Sequence, residues 1–506
     1  MERQINQLPR SSVDKVYRGA GKLAYDPMVL LKMVLYQMLL GRHSPAQWHA
    51  DASRNIAMQW IGRGYTPARR TWYDFRDRAG KFIDQLHQQL VTLALDQGHA
   101  RADTAALDGS SVAACASRHR MVNESTLQKR RAILDGVQGA SGDPSCWPQW
   151  MPATETGRDD LATRMDHAAE VLSDRLAQNA ARPSGKRKDP DKVVVSLSDP
   201  EAPLGLDKRK TYRPLYTVQK MVDPVSHLTL SYSCQASTSD AGMLAPMIDL
   251  TQSITKGRLK TVLADGGYCT ILDVADSLAR DIDLLAPVSE NGTTRRSKSV
   301  SGEDQIPRSE FRFDADANCY RCPQGQVLGY LGREKKRRSG GRVLYQARYQ
   351  CDTATCGACE LAGRCLGGKG GRMIKRTEGE ELLELQREKM QTEEAKMKYK
   401  LRGQTVELVF ADDKGNRGHD RFHGRGLDRV RAETGLLTLA QNLLRLDKLQ
   451  RRSQNPQKQT PLNCTTSRVN GKGIGSLARL PHHSFGGFAC RIMAPCFSLS
   501  TNRESF

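Results

Sequence analysis

The chain has 506 residues, more than one hydrophobic core usually serves, so two or three structural units are expected and a peptide hormone or small module is excluded. Lys and Arg number 77 against 56 Asp and Glu, a net charge of +21 that favours a polyanionic partner, nucleic acid first. Only 38% of the residues are hydrophobic, no run approaches the ~20 apolar residues of a membrane span, and the polar start Met1-Glu2-Arg3-Gln4 is unlike a signal peptide; membrane and secreted classes are set aside for a cytosolic one.

Residues 1–100 carry 14 basic and 8 acidic side chains and read as an all-helical N-terminal domain. Asp26-Pro27 opens a buried apolar run, Met28 to Leu40, stopped by Gly41, and a second helix begins after Ser44-Pro45. Thr66-Pro67 precedes Arg69 to Arg76, where Thr71 is placed to cap a helix with Arg69 and Arg70 near its start. This pattern suits a helix-turn-helix that binds DNA, and equally a helical bundle with a solvated basic edge. A helix from Gln85 to Leu95 completes the region.

From 101 to 290 the sequence turns to strands. Ala105 to Ser110 is a short apolar strand ending in Asp108, and residues 117–190 read as a polar, helical insertion with Trp147 and Trp150 in a loop. Alternation at 215–222 and 228–233, split by Asp223-Pro224, predicts a hairpin. A helix through 243–253, a strand over 259–264 ending in Asp265, a helix near 271–280 and a strand over 283–288 follow. The order β-β-β-α-β-α-β implies an α/β fold: a mixed sheet, antiparallel then parallel, with helices on both faces.

Residues 291–376 form a Cys-rich second insertion, and 377–447, a helical stretch, completes the central fold. The tail 448–506, with 9 basic residues and 1 acid in a polar composition, is expected to be disordered and to add nonspecific DNA affinity. Residues 290–376 hold 18 basic and 9 acidic side chains, so the positive charge gathers in appendages around a near-neutral centre able to hold carboxylates. The plainer alternative is a basic surface kept for solubility.

Six of the 13 cysteines fall within 319–365, as Cys319-x2-Cys322, Cys351, Cys356-x2-Cys359 and Cys365. The paired CxxC knuckles, Cys319, Cys322, Cys356 and Cys359, are expected to hold one structural zinc, although the 33 residues between them exceed the roughly 15–20 of a compact ribbon. Between them, 327–330 and 343–349 read as a β-ribbon whose tip, Arg333 to Arg338, presents Lys335, Lys336, Arg337 and Arg338 to a phosphate backbone or simply to solvent.

Two predicted strands thus carry Asp followed by Gly, at Asp108 and Asp265. Alone this is also ordinary turn chemistry, but if the two strands are sheet neighbours the carboxylates lie side by side. Glu407, in the helical run Thr405 to Phe410, adds a third acid, flanked by apolar residues and read as buried, for which a metal ion is the natural partner.

With these pieces the chain resembles a DDE transposase of a bacterial insertion sequence, with a ribonuclease H-like catalytic domain, over roughly residues 20 to 446. The resemblance rests on the helical 27–75 region, Leu107-Asp108-Gly109-Ser110, Ser198-Asp199-Pro200-Glu201-Ala202, Tyr216-Thr217-Val218-Gln219, Ala264-Asp265-Gly266-Gly267-Tyr268, Val406-Glu407-Leu408-Val409-Phe410 and the closing Arg421 to Leu427 with Glu433 and Asn442. The Cys-rich insertion is similar to that of the eleven-eighty-two group. The family's Tyr-x2-Arg-x3-Glu-x6-Lys signature is met by Tyr399, Arg402, Glu407 and Lys414, except that four residues separate Arg402 from Glu407.

The resemblance implies that Asp108, Asp265 and Glu407 are catalytic and hold two magnesium ions, manganese substituting, and that Tyr399, Arg402 and Lys414 bind substrate. It further implies cleavage at the element's terminal inverted repeats, joining of the 3′-hydroxyls to target double-stranded DNA, and a homodimer on paired ends at the nucleoid. The alternative is a transposase-derived DNA-binding protein without activity; an acidic trio beside DNA favours the enzyme, because a binder gains nothing from that negative charge.

Overall fold

The computed structural model describes residues 2–17, 25–137, 146–288, 298–337 and 343–454. Seven helices come first: α1 (Glu2–Ile5), α2 (Ser11–Tyr17), α3 (Pro27–Leu39), α4 (Pro45–Arg54), α5 (Ile56–Ile61), α6 (Arg69–Ala79) and α7 (Ile83–Asp96). Asp26 caps α3 through Met28 N, with Pro27 at its first position, and Ser44 caps α4 in a capping box with Gln47. Thr71 caps nothing: α6 begins at Arg69 after Ala68, and Pro67 ahead of it accepts a hydrogen bond from Trp72 Nε1, which fixes the entry two residues earlier than the threonine.

The central sheet contains β1 (Thr104–Ala113), β4 (Leu204–Leu206), β5 (Tyr212–Val222), β6 (Thr229–Gln235), β7 (Thr261–Leu263) and β8 (Asp283–Leu285). β1 pairs antiparallel with β5, β5 pairs antiparallel with β6 and β4, and β7 and β8 continue the other side in parallel. The parallel half needs crossovers, supplied by α10 (Leu244–Thr255) and α11 (Ile271–Leu278). With β1 central, three antiparallel strands (β5 with β4 and β6) on one flank and two parallel ones on the other, this mixed α/β architecture is ribonuclease H-like.

Strand parity divides the sheet into two cores. Ala105, Leu107, Val262 and Ala264 face a core shared with α3, α7, α10 and α17 (Leu427–Gln454). Ala106 and Leu263 face the opposite core with Val406, Phe410 and Phe422, which also receives α15 (Glu393–Lys400) and α16 (Val406–Ala411) after α14 (Glu380–Gln391). The N-terminal helices therefore share one continuous core with a sheet face. α17 runs on through Gln454 because Asp447 and Gln450 take hydrogen bonds from Gln4, and Gln450 also bonds Gln97; the first residues expected in the tail are helical. Residues 455–506 lie outside the described residues.

The first insertion is a helical pair, α8 (Glu124–Val137) and α9 (Glu155–Ala180), beside the two-stranded β2 (Met121–Val122) and β3 (Val195–Ser196), with its own small core. Trp147 and Trp150 pack against that core, under Arg158 and Arg130 respectively. The second insertion is a five-stranded antiparallel sheet in the order β13 (Met373–Thr377), β12 (Val343–Gln350), β11 (Val327–Arg337), β10 (Cys319–Arg321), β9 (Arg312–Asp314), joined by the short helices α12 (Thr353–Gly357) and α13 (Ala362–Cys365). Among the described residues no helix is long and apolar enough to cross a membrane.

Candidate active site

β1 and β7 run parallel with Ala106 opposite Leu263, so two further residues on each chain bring Asp108 and Asp265 to neighbouring positions. Asp108 does not end its strand: β1 continues along β5 to Ala113, and it is the pairing with β7 that stops at residue 106. Each carboxylate is oriented by the backbone that follows it, Gly109 N to Asp108 Oδ1 at 2.9 Å and Gly267 N to Asp265 Oδ1 at 2.8 Å. Burial pushes the pKa of Asp108 above the ordinary aspartate value, and the Asp265 charge adds to this, against the pull of Arg402 and the Gly109 N–H.

The third acid arrives on α16. Val406 and Phe410, one turn apart, are buried in the core on the Ala106 face, so this helix lies over the sheet beside Asp108. Glu407 adjoins Val406 but turns outward: its side chain is 55% exposed, which corrects the expectation of a buried glutamate. In a helix this short, one buried position per turn leaves the next residue facing out.

Arg402 ties the acids together. One guanidinium nitrogen lies 3.1 Å from Asp108 Oδ1 and the other 2.9 Å from Glu407 Oε1, with only 11% of the side chain exposed. Its Nε is buried without a hydrogen-bond partner. Tyr399 lies beside it; burial raises the phenol's pKa, and the charges of Asp265 and Glu407 act in the same sense, against Arg402. Lys414, in the π-helical turn Asp412–Asn416, donates to Ser111 O at 3.0 Å, and burial and Lys208 lower its pKa against Asp413, Asp420 and Asp108. The five residues read from the sequence at Asp108, Asp265, Tyr399, Arg402 and Glu407 thus converge, with Lys414 at the edge.

Two further members, Asp240 and Lys208, carry no sequence signal. Asp240 sits in the loop before α10 and accepts a 2.5 Å hydrogen bond from Gln219 Nε2, whose Oε1 accepts another of 2.5 Å from Tyr268 Oη. Gln219 is the β5 partner of Gly109, and Tyr268 follows Asp265 by three residues, so this chain of bonds links the two aspartate segments. Burial raises the pKa of Asp240, and Asp265 adds to the effect against the Gln219 bond. Lys208, exposed on the turn between β4 and β5, is an electrostatic neighbour of Asp108, Asp240 and Lys414.

The remaining candidates lie on other elements. Arg69 and Arg70 are exposed in the first turn of α6, Arg70 paired with Asp74 at 2.8 Å and Arg69 over the Tyr73 ring. Lys335 is exposed on β11, Lys336 donates to Gln346 at 2.6 Å, Arg337 closes that strand and Arg338 lies outside the described residues.

Of the four zinc candidates, Cys322, Cys356 and Cys359 line one small cavity together with Cys351 and Cys365, whereas Cys319 does not. Among the described residues no three His, Cys, Asp or Glu side chains stand at metal-ligand spacing, and Arg402 occupies the space between Asp108 and Glu407.

A ribonuclease H-like sheet with acids from neighbouring strands and a facing helix defines the frame of the molecule. Residues 321–447 match the transposase DDE domain and residues 1–78 match the transposase domain DUF772. The two matches, at opposite ends of the chain, support an insertion-sequence DDE transposase. Searches of curated proteins and of solved structures found no match. The DDE match takes in Tyr399, Arg402, Glu407 and Lys414; Asp108 and Asp265 lie outside both matched segments and join the site through the fold.

Proposed function

We propose that this transposase, a member of the eleven-eighty-two group, cuts DNA at the terminal inverted repeats of its element. It then joins the freed 3′-hydroxyls to target DNA by in-line transesterification at Asp108, Asp265 and Glu407. One observation carries the reading: two aspartates from adjacent parallel strands and a glutamate from the helix on the same sheet face, two of them bridged by Arg402. Joining by direct attack exchanges one phosphodiester for another and needs no nucleotide energy source.

Three hard oxygen donors suit magnesium, or manganese in its place. Gathered carboxylates repel one another without a cation, and here a guanidinium supplies the positive charge between two of them. Asp108, Asp265 and Glu407 would hold two such ions, Arg402 giving way. Bound there, the metal would activate the attacking oxygen and stabilise the leaving one.

The chain's own contribution is positioning. Arg402, once released from the acids, offers a planar fork and an already unpartnered Nε to a DNA phosphate. Tyr399, Lys414 and Lys208 line the approach to Asp108. Arg69 and Arg70 on α6 and Lys335, Lys336, Arg337 and Arg338 of the ribbon contact the duplex backbone outside the reacting bond. A homodimer holds the paired ends.

The test pairs a magnesium-dependent cleavage assay on terminal-repeat DNA with a gel shift. Asp108→Asn and Glu407→Gln are expected to abolish cutting and joining while DNA binding persists. Near-normal cutting by either variant would refute the assignment, and an inactive wild type that still binds the repeats would favour a DNA-binding protein without chemistry.

A further inference from the structure

The second insertion is held by a core of seven buried residues, Ile306, Phe311, Tyr320, Leu328, Tyr349, Cys351 and Ile374, which is little apolar material for a five-stranded sheet. Modules with so small a core commonly rely on a metal or on disulfides. Every cysteine here is a free thiol, and five of them converge on one cavity of about 30 Å³, roughly the volume of a single water.

Packing against the module's core selects four of the five. Cys351 belongs to the core and Cys322, Cys356 and Cys365 pack against it, whereas neither Cys359 nor Cys319 does. Cys351 has Cys356 and Cys322 as its thiol neighbours, and Cys365 has Cys356 and Cys322 ahead of Cys359. Cys322 and Cys356 thus neighbour both Cys351 and Cys365.

The backbone around them is arranged for sulfur carrying negative charge. Gln326 N donates to Cys322 Sγ at 3.3 Å, in a turn where Gly325 takes the left-handed conformation (φ +76°) and its N–H bonds Cys322 O. Arg372 N donates to Cys356 Sγ at 3.4 Å. The Arg372 guanidinium lines the same cavity, anchored on Cys365 O and Ile306 O, where it offsets thiolate charge.

We propose that Cys322, Cys351, Cys356 and Cys365 bind one structural zinc ion as a tetrahedral thiolate site, separate from the acidic active site. The cavity admits one ion, and closing the sulfurs to roughly 2.3 Å from it asks for movement of side chains that already line one cavity. As the ion binds, the thiols release their protons to solvent. Strand parity explains the absence of Cys319. Tyr320 and Cys322 face the core, so Cys319, three residues before Cys322 on an extended strand, points to the other face.

Elemental analysis of the full-length wild type is expected to give one zinc per chain, and cobalt added to chelator-stripped protein to give the visible absorption of a tetrahedral thiolate complex. Cys322→Ser, Cys351→Ser, Cys356→Ser and Cys365→Ser should each lower the metal content, whereas Cys319→Ser and Cys359→Ser should keep it. A wild type without zinc and without cobalt–thiolate bands would overturn the proposal even if the single variants fail to fold. So would metal loss in Cys319→Ser matching that in Cys322→Ser, or a Cys351–Cys356 disulfide in place of the metal. These readouts are independent of DNA cleavage, so their failure leaves the active-site reading standing.

Discussion

Lys220 and Asp413 form an ion pair of 2.7 Å with side chains only 1% and 4% exposed, joining strand β5 to the turn that follows α16. Lys220 is the cross-strand partner of Asp108, and Asp413 also accepts from Gln441 of α17 at 2.9 Å. The pair is thus a latch that fixes the helix bearing Glu407 at the height of Asp108.

Breaking that latch from one side leaves an unpaired charge in the core. Lys220→Met is expected to cost about 3–5 kcal/mol of stability, and the double variant Lys220→Met with Asp413→Leu to recover much of it. Denaturant unfolding of the two singles and the double checks this. A double variant no more stable than the worse single would show that the pair is not a unit.

Arg402 supplies positive charge between Asp108 and Glu407. In metal-free buffer, Arg402→Gln is expected to lose about 1–2 kcal/mol, modest because Glu407 is more than half exposed. Manganese should raise the melting temperature of the variant more than that of the wild type, since its carboxylates have lost their internal counter-ion. An equal rise in both proteins would separate Arg402 from the metal site.

Gly109 leaves room for the carboxylate opposite. A Cβ there would meet Gln219 Nε2 at 2.6 Å and Asp240 closer still. Gly109→Ala should therefore displace the Tyr268–Gln219–Asp240 chain of hydrogen bonds and cost about 1–3 kcal/mol, with cleavage reduced beyond what the stability loss explains. Activity measured well below the variant's melting temperature decides the matter.

Glu433 gives the fold a pH dependence. It is fully buried on α17, accepts backbone N–H bonds from His423 and Gly424, and burial pushes its pKa up to about 7. The folded chain retains this proton where the unfolded chain has lost it. The contribution to stability is therefore complete below the ordinary glutamate range and disappears as pH rises through about 7, a change on the order of 3 kcal/mol. Glu433→Gln should flatten that slope in urea unfolding measured on either side of pH 7; an unchanged slope would assign it to another group.

Much of the fold was legible because strand parity and apolar runs are local. The hairpin, the two crossovers and the adjacency of Asp108 and Asp265 all follow from segments whose side chains alternate cleanly. The outward turn of Glu407, the cavity formed by Cys322 with Cys351 and the placing of Asp240 were not legible, since each depends on which neighbour a distant segment brings. The CxxC spacing of Cys319 and Cys322 likewise does not say that the first cysteine lies on an extended strand and outside the cavity that Cys322 lines.

α17 packs on α3, α7 and β6, so the last described helix completes the core that the first helices begin. Such closure carries a large sequence separation, and folding that depends on it is slow to finish. A chain still emerging from the ribosome holds Asp108 and Asp265 long before α16 and α17 are made. The cluster that joins them to Glu407 is therefore incomplete until synthesis has passed residue 407.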